Sequence, residues 1–247
     1  MGNIIFDGYN FEDYGVVVSG SGTWNMPERR TVKDVIPGKH GALITDSGEF
    51  ENVEIPYPAW IARGFAEKYE EFSRMLTLHT DKYYRLEDSY HPDYYRMARV
   101  IPGITPKTGT LNRSGEFTIT FDCKHQKWLR SGEEPIEIKS EFEIFNPTGY
   151  NAKPIITAPP NATITFSSIS GGVTRLYTYE VEHAEDAYIT YDADTEEAID
   201  EYGFCANMYV GQVGDISGKG GTIYLPSGRS WISASKPIKL IPRFFAI

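Results

Sequence analysis

Alternation of apolar and polar residues at a period of two constrains this chain more than any other feature. In GEFTITFDC, residues 115–123, Phe117, Ile119, Phe121 and Cys123 fall on one side and Thr118, Thr120 and Asp122 on the other, as successive side chains of an extended chain do. In PIEIKSEFEIF, Ile136, Ile138, Phe142 and Ile144 share a face, opposed by Glu137, Lys139, Glu141 and Glu143. Ala162, Ile164 and Phe166 repeat the pattern against Thr163 and Thr165. One-sided strands of this kind build antiparallel sheets that put one face on a core. Aromatic residues make up 14% of the 247, and with Thr, Val and Ile they suit a pleated surface, so a mainly β protein is predicted.

One segment departs from that period. Within residues 58–80, Ile61, Phe65, Tyr69, Phe72 and Leu76 recur every three or four residues, with Arg63, Glu67, Glu70, Glu71 and Arg74 opposite. This predicts an amphipathic helix, opened by Pro58 near its first turn, carrying Gly64 inside it and packing on a sheet. The length allows one large domain or two small ones. The polar, turn-prone stretch KWLRSGEEP, residues 127–135, is the expected connection. Residues 1–135 would then form a β-rich domain with one helix. Residues 136–247, with turn signals such as NPTGY, APPN and LPSGR recurring about every ten residues, would form a β-sandwich.

Composition and motifs argue against most chemistry. Against 34 acidic residues stand 24 basic ones, a net charge of −10, with no basic run longer than Arg29–Arg30; nucleic acid would be repelled, not bound. The five histidines and two cysteines have no metal-ligand spacing, and Cys123 and Cys205, each in an apolar β-like context, read as core residues. VGDISGKGGT, residues 213–222, has the wrong glycine spacing for a phosphate loop, and no helix pattern follows it. Asp192, Asp194 and Glu196 alternate like calcium ligands, but the glycine and final glutamate of such a loop are missing, so a solvated acidic turn is expected. The adjacent carboxylate pairs, Glu70–Glu71, Glu87–Asp88 and Glu196–Glu197, point to different faces and could not clamp one glycosidic bond. Asn112 and Asn161 match the glycosylation pattern only, since the N-terminal residues lack the features of a secretion signal and no run is long enough for a membrane helix. Folding in a cytoplasm, with neither enzyme activity nor a cofactor, is the expectation.

The run YYRLEDSYHPDYYRMARVI, residues 83–101, is rich in Tyr and Arg with few Lys, the composition of a protein contact surface. A hairpin whose tyrosines pack on its own domain accounts for it equally well.

The order of these features resembles the distal tail protein family, Dit, of long non-contractile-tailed phages and prophages of Gram-positive hosts. FDGYNFEDYGVVV (6–18) is followed by the turn IPGKHG (36–41), the helix, LEDSYHPDYYRMARV (86–100), GEFTITFDCKHQKW (115–128), FNPTGYNAKPIITAPPNATITF (145–166) and LPSGRSWISASKPIKLIPRFF (225–245). The resemblance implies an N-terminal β-barrel or sandwich with one helix and an extended hairpin, and a C-terminal galectin-like or carbohydrate-module-like sandwich. It implies a homohexameric ring, one ring or two stacked back to back, at the distal end of the virion's tail. There it would join the tail tube protein to a lysin-like tail-tip protein, hold receptor-binding or other baseplate proteins, and let DNA pass without specific binding. The hairpin around IPGKHG would meet the neighbouring copy through Ile36, Lys39, His40, Leu43 and Ile44. No catalytic, cofactor or metal residues follow from the family. A second reading, from the aromatic content of residues 136–247, is a non-catalytic carbohydrate-binding sandwich used in cell-surface adhesion, with Tyr177, Tyr179, Tyr188, Tyr191 and Trp231 as possible platforms.

Overall fold

A computed structural model describes residues 2–20, 22–38, 40–170, 173–180, 187–205 and 223–247; the side chains of residues 47, 110 and 169–180 are outside the description. Two compact units are present, Met1–Lys127 with Ile247, and Trp128–Ala246. The glycine-rich segment 213–222 lies outside the described residues.

The first unit contains β1 (Ile4–Phe6), β2 (Tyr9–Asn10), β3 (Val16–Val18), β4 (Arg29–Asp34), β5 (Leu43–Phe50), β6 (Val53–Ile61), α1 (Phe65–Thr77), β7 (Tyr84–Asp88), β8 (Tyr94–Val100), β9 (Lys107–Thr108) and the start of β10 (Gly115–Leu129). Its main sheet runs β2-β1-β7-β8-β10-β6-β3, with β9 beside β10. A bridge between Gly2, two residues before β1, and Val18 of β3 brings the two sides of the sheet together, so the sheet curls into a barrel. The alternation in β10 is the expected one: Phe117, Ile119, Phe121 and Cys123 are buried, with Thr118, Thr120 and Asp122 facing away.

The helix is shorter than its apolar stripe predicts. Residues 58–61 belong to β6, where Val53, Ile55, Tyr57, Ala59 and Ile61 are buried at alternate positions. The two-residue period and the cross-strand register with β10 override the helical spacing there. Pro58 therefore sits in a strand. Its carbonyl accepts from Ser19 N–H at 2.8 Å, which places the missing N–H on the β3 side, just past the end of that short strand, and leaves the ladder to β10 intact. Gly64 is not inside the helix but at its N-cap, with φ +67°, a left-handed turn that glycine adopts at no steric cost. From there α1 lays Phe65, Phe72, Met75 and Leu76 on the barrel core. Phe72 meets Phe11 edge-on at 4.8 Å.

The second unit contains β11 (Ile136–Ile138), β12 (Glu141–Asn146), β13 (Ile155–Ala158), β14 (Thr163–Ser170), β15 (Val173–Glu180), β16 (Ile189–Asp192), β17 (Glu197–Asp200), β18 (Gly228–Ala234), β19 (Ile238–Ile241) and β20 (Phe245–Ala246). A five-stranded sheet, β11-β19-β13-β16-β17, and a four-stranded sheet, β12-β18-β14-β15, share one core that includes Ile138, Ile156, Ile189 and Leu240 from the first and Ile144, Ile164, Phe166 and Ile232 from the second. This is a β-sandwich. PIEIKSEFEIF is not one strand: it bends at Lys139–Ser140 and switches sheets, which leaves Phe142 on an outer strand and exposed while Ile138 and Ile144 go inward. Cys205 is also a correction. Unlike buried Cys123 it is exposed: it follows a turn in which the Asp200 carboxylate accepts from the Tyr202 and Phe204 amides, and the Tyr202 and Phe204 side chains are exposed as well.

Candidate functional site

Strands β4 and β5 pair only with each other, in a two-stranded hairpin separate from the barrel sheet. Val32 faces Thr45, Lys33 faces Ile44 and Asp34 faces Leu43. Directly opposed residues share a face and neighbours alternate, so Val32 and Leu43 project on one side and Ile44 on the other. Apolar side chains thus stand open on both faces of the ribbon: Val35 is 78% exposed and Ile44 61%, with Val32, Ile36 and Leu43 also exposed. At the tip Gly38 and Gly41 take φ +82° and +87°, the left-handed region a tight reversal needs.

The base of the hairpin is held by charge. Arg30 donates to both oxygens of Glu51, at 2.7 and 3.0 Å, and to Glu49 at 2.9 Å. Arg29 pairs with Asp46 at 2.6 Å and lies over the Phe50 ring. These bonds raise the Arg30 pKa and lower those of Glu51 and Asp46, in each case chiefly through the side-chain hydrogen bond. The bidentate geometry fixes direction better than a single contact would. The two strands are thus clamped to each other near the root, and the ribbon is left exposed along its length.

Of the residues the sequence pointed to, Ile36, His40, Leu43 and Ile44 lie on this hairpin, all exposed; Lys39 lies outside the described residues. Val32 and Val35 extend the apolar surface and were not singled out by sequence. Their signal was alternation in TVKDV without any partner pattern nearby.

The Tyr/Arg-rich run forms the β7–β8 hairpin, and most of its polar groups are committed within the unit. Asp88 accepts from the Tyr57 hydroxyl at 2.6 Å, from the Tyr90 and His91 amides at 2.9 and 2.7 Å, and lies 3.0 Å from His91 Nδ1. Burial, then the Asp88 charge, holds the Tyr57 hydroxyl well above its ordinary pKa. Asp122 accepts from Arg99 and Tyr83 at 2.8 and 3.1 Å. Arg85 lies over the Tyr95 ring at 3.8 Å and pairs with Glu87. Such commitments leave these side chains as internal struts.

In the second unit, Asp192 pairs with Arg243 at 2.7 Å and Asp194 with Lys153 at 3.1 Å, so two of the three alternating acids are paired with the unit's own cations. Of the aromatic candidates, Tyr191 is core, Trp231 is half-buried and Tyr188 is exposed; the side chains of Tyr177 and Tyr179 are outside the description.

A curled sheet bearing one helix and a separate hairpin is joined in sequence to a two-sheet sandwich. Over 97% of its length the chain matches 97% of SPP1 Dit (gp 19.1), described as a paradigm of the hub adsorption apparatus in phages infecting Gram-positive hosts, with a TM-score of 0.69 and 16% identity. It also aligns, over 97% of each chain, with the phage P2 baseplate in its activated conformation with Ca and with Sr, at TM-score 0.47 and 12% identity in both cases. No family model and no curated protein matches the sequence. The chain therefore has the distal tail protein fold, and the likeness read from its ordered segments holds across the whole fold.

Proposed function

We propose that this protein is a structural hub of a phage tail tip: identical copies close into a hexameric ring that joins tail tube to tail tip, leaves a channel for DNA and anchors receptor-binding or other baseplate proteins. The observation that carries the reading is the β4–β5 hairpin. A bare two-stranded ribbon is marginal in water, and exposed apolar residues on both of its faces are a liability unless another surface covers them. A ring of like subunits needs two different patches on each copy, and a ribbon that reaches out from its own unit supplies one of them through Ile36, Lys39, His40, Leu43 and Ile44. The fold shared with SPP1 Dit supports the same role.

In this reading the segment 1–135 builds the ring and 136–247 faces the baseplate proteins. The protein works in the virion, after synthesis in the host cytoplasm, by holding positions and not by turning over a substrate. A net charge of −10 suits a pore that must release a polyanion.

Ile44→Asp tests the hairpin. The residue is exposed, so the substitution is expected to change monomer stability by no more than about 0.5 kcal/mol. Analytical ultracentrifugation should show the large species of the original chain replaced by monomer. An unchanged size distribution would remove the hairpin from the interface.

A further inference from the structure

The inward side of β8 alternates Arg96, Ala98 and Val100, all buried. Ala98 and Val100 belong to the barrel core, whereas Arg96 sets a guanidinium on the same side with only 7% of the residue exposed. Its Nη1 is buried and has no hydrogen-bond partner, and a buried donor left unpaired carries its full desolvation cost. A cavity of about 10 Å³ lies against it, lined in part by Asp88, His91, Tyr95, Arg96 and Lys127, room for one small particle. The carboxylate in this lining is already committed. Asp88 Oδ1 accepts from the Tyr90 and His91 amides, Oδ2 accepts from the Tyr57 hydroxyl, and His91 Nδ1 lies 3.0 and 3.2 Å from the two oxygens.

Charge decides what the cavity takes. Two cations, Arg96 and Lys127, line it with one carboxylate, so in a chain of net charge −10 this hollow has an excess of positive charge. Arg96 cannot shed its proton. Burial lowers the Arg96 pKa, and burial, then the Arg96 charge, lowers that of Lys127, as happens to cations short of a counter-charge. Lys127, half-buried on β10, keeps one side of the hollow within reach of solvent. A water there would satisfy the bond and leave the charge. A metal cation would add to the excess. Carboxylate, phosphate and sulfate bring the charge but have three or more heavy atoms, too many for this space. What fits is a single monatomic anion, accepting from Arg96 on one side and from the Lys127 ammonium on the other.

We propose that the barrel holds one halide ion, physiologically chloride, between Arg96 Nη1 and Lys127, where it ties β8 to the neighbouring β10. The site lies within the first unit and needs no second copy, so its failure and the failure of the hub reading are separate results.

The test is thermal melting of the full chain at fixed ionic strength while chloride, or bromide, replaces isethionate. The midpoint should rise saturably by about 3 °C, and chloride NMR lines should be broadened by the protein and sharpened again by excess bromide. Arg96→Gln should abolish both effects and Lys127→Gln should weaken the affinity about threefold or more, while Arg99→Gln, on the outward side of the same strand, leaves both as they are. Crystals of the unaltered chain grown in bromide keep the test independent of how the variants fold: an anomalous peak is expected beside Arg96 Nη1. Identical melts in halide and isethionate, broadening that a folded Arg96→Gln retains, or a water in place of the anomalous peak would each overturn the proposal.

Discussion

Gly115 lacks a side chain because Phe65 fills the space one would need: a Cβ there would lie 2.4 Å from the phenyl ring. Gly115→Ala should therefore cost about 1–3 kcal/mol, seen as a lower denaturant midpoint at constant slope. Gly149→Ala, with nothing within 4 Å of the new carbon, should be neutral or mildly stabilising, within about 1 kcal/mol. The two thiols separate in the same way. Burial pushes Cys123 up to about 12, so it stays a thiol at neutral pH and should resist alkylation in the native state, whereas exposed Cys205 should label at once. Mass spectrometry after a short iodoacetamide pulse should find one adduct, on Cys205. Sequence read Cys123 correctly, since its place in an alternating strand is a local property. It could not read Cys205, whose outward direction is set by the turn before it, nor Gly115, whose constraint comes from a residue fifty positions away.

At the scale of elements, the strand pattern was the legible part and its competition with the helical period was not. Ile61 satisfies both spacings, and only the pairing of β6 with β10, a contact between distant segments, decides for the strand. The hairpin was visible as a strand running into IPGKHG, but its isolation from the barrel sheet was not. Its root makes a pH prediction. The pKa values of Asp46 and Glu51 are lowered by their arginine partners, and a carboxylate so depressed contributes above its ordinary pKa, near 4, and loses that contribution as pH falls through its folded value. Amide hydrogen exchange across residues 28–51 should thus show protection from pH 7 to about 5 that declines below about pH 4, with no matching change in β10. Salt should weaken the same protection, because these pairs are exposed.

For the molecule as a whole, the barrel and the sandwich each bury their own core, and the ribbon between Arg29 and Phe50 leaves apolar side chains exposed on both of its faces. If, as proposed, another copy covers this ribbon, the copies should surround an opening. Negative-stain electron microscopy of the purified full chain at high concentration tests this most directly. It should show closed six-fold rings, single or stacked in pairs, with a stain-filled centre; particles that remain single protomers, or pair without enclosing a hole, would contradict it.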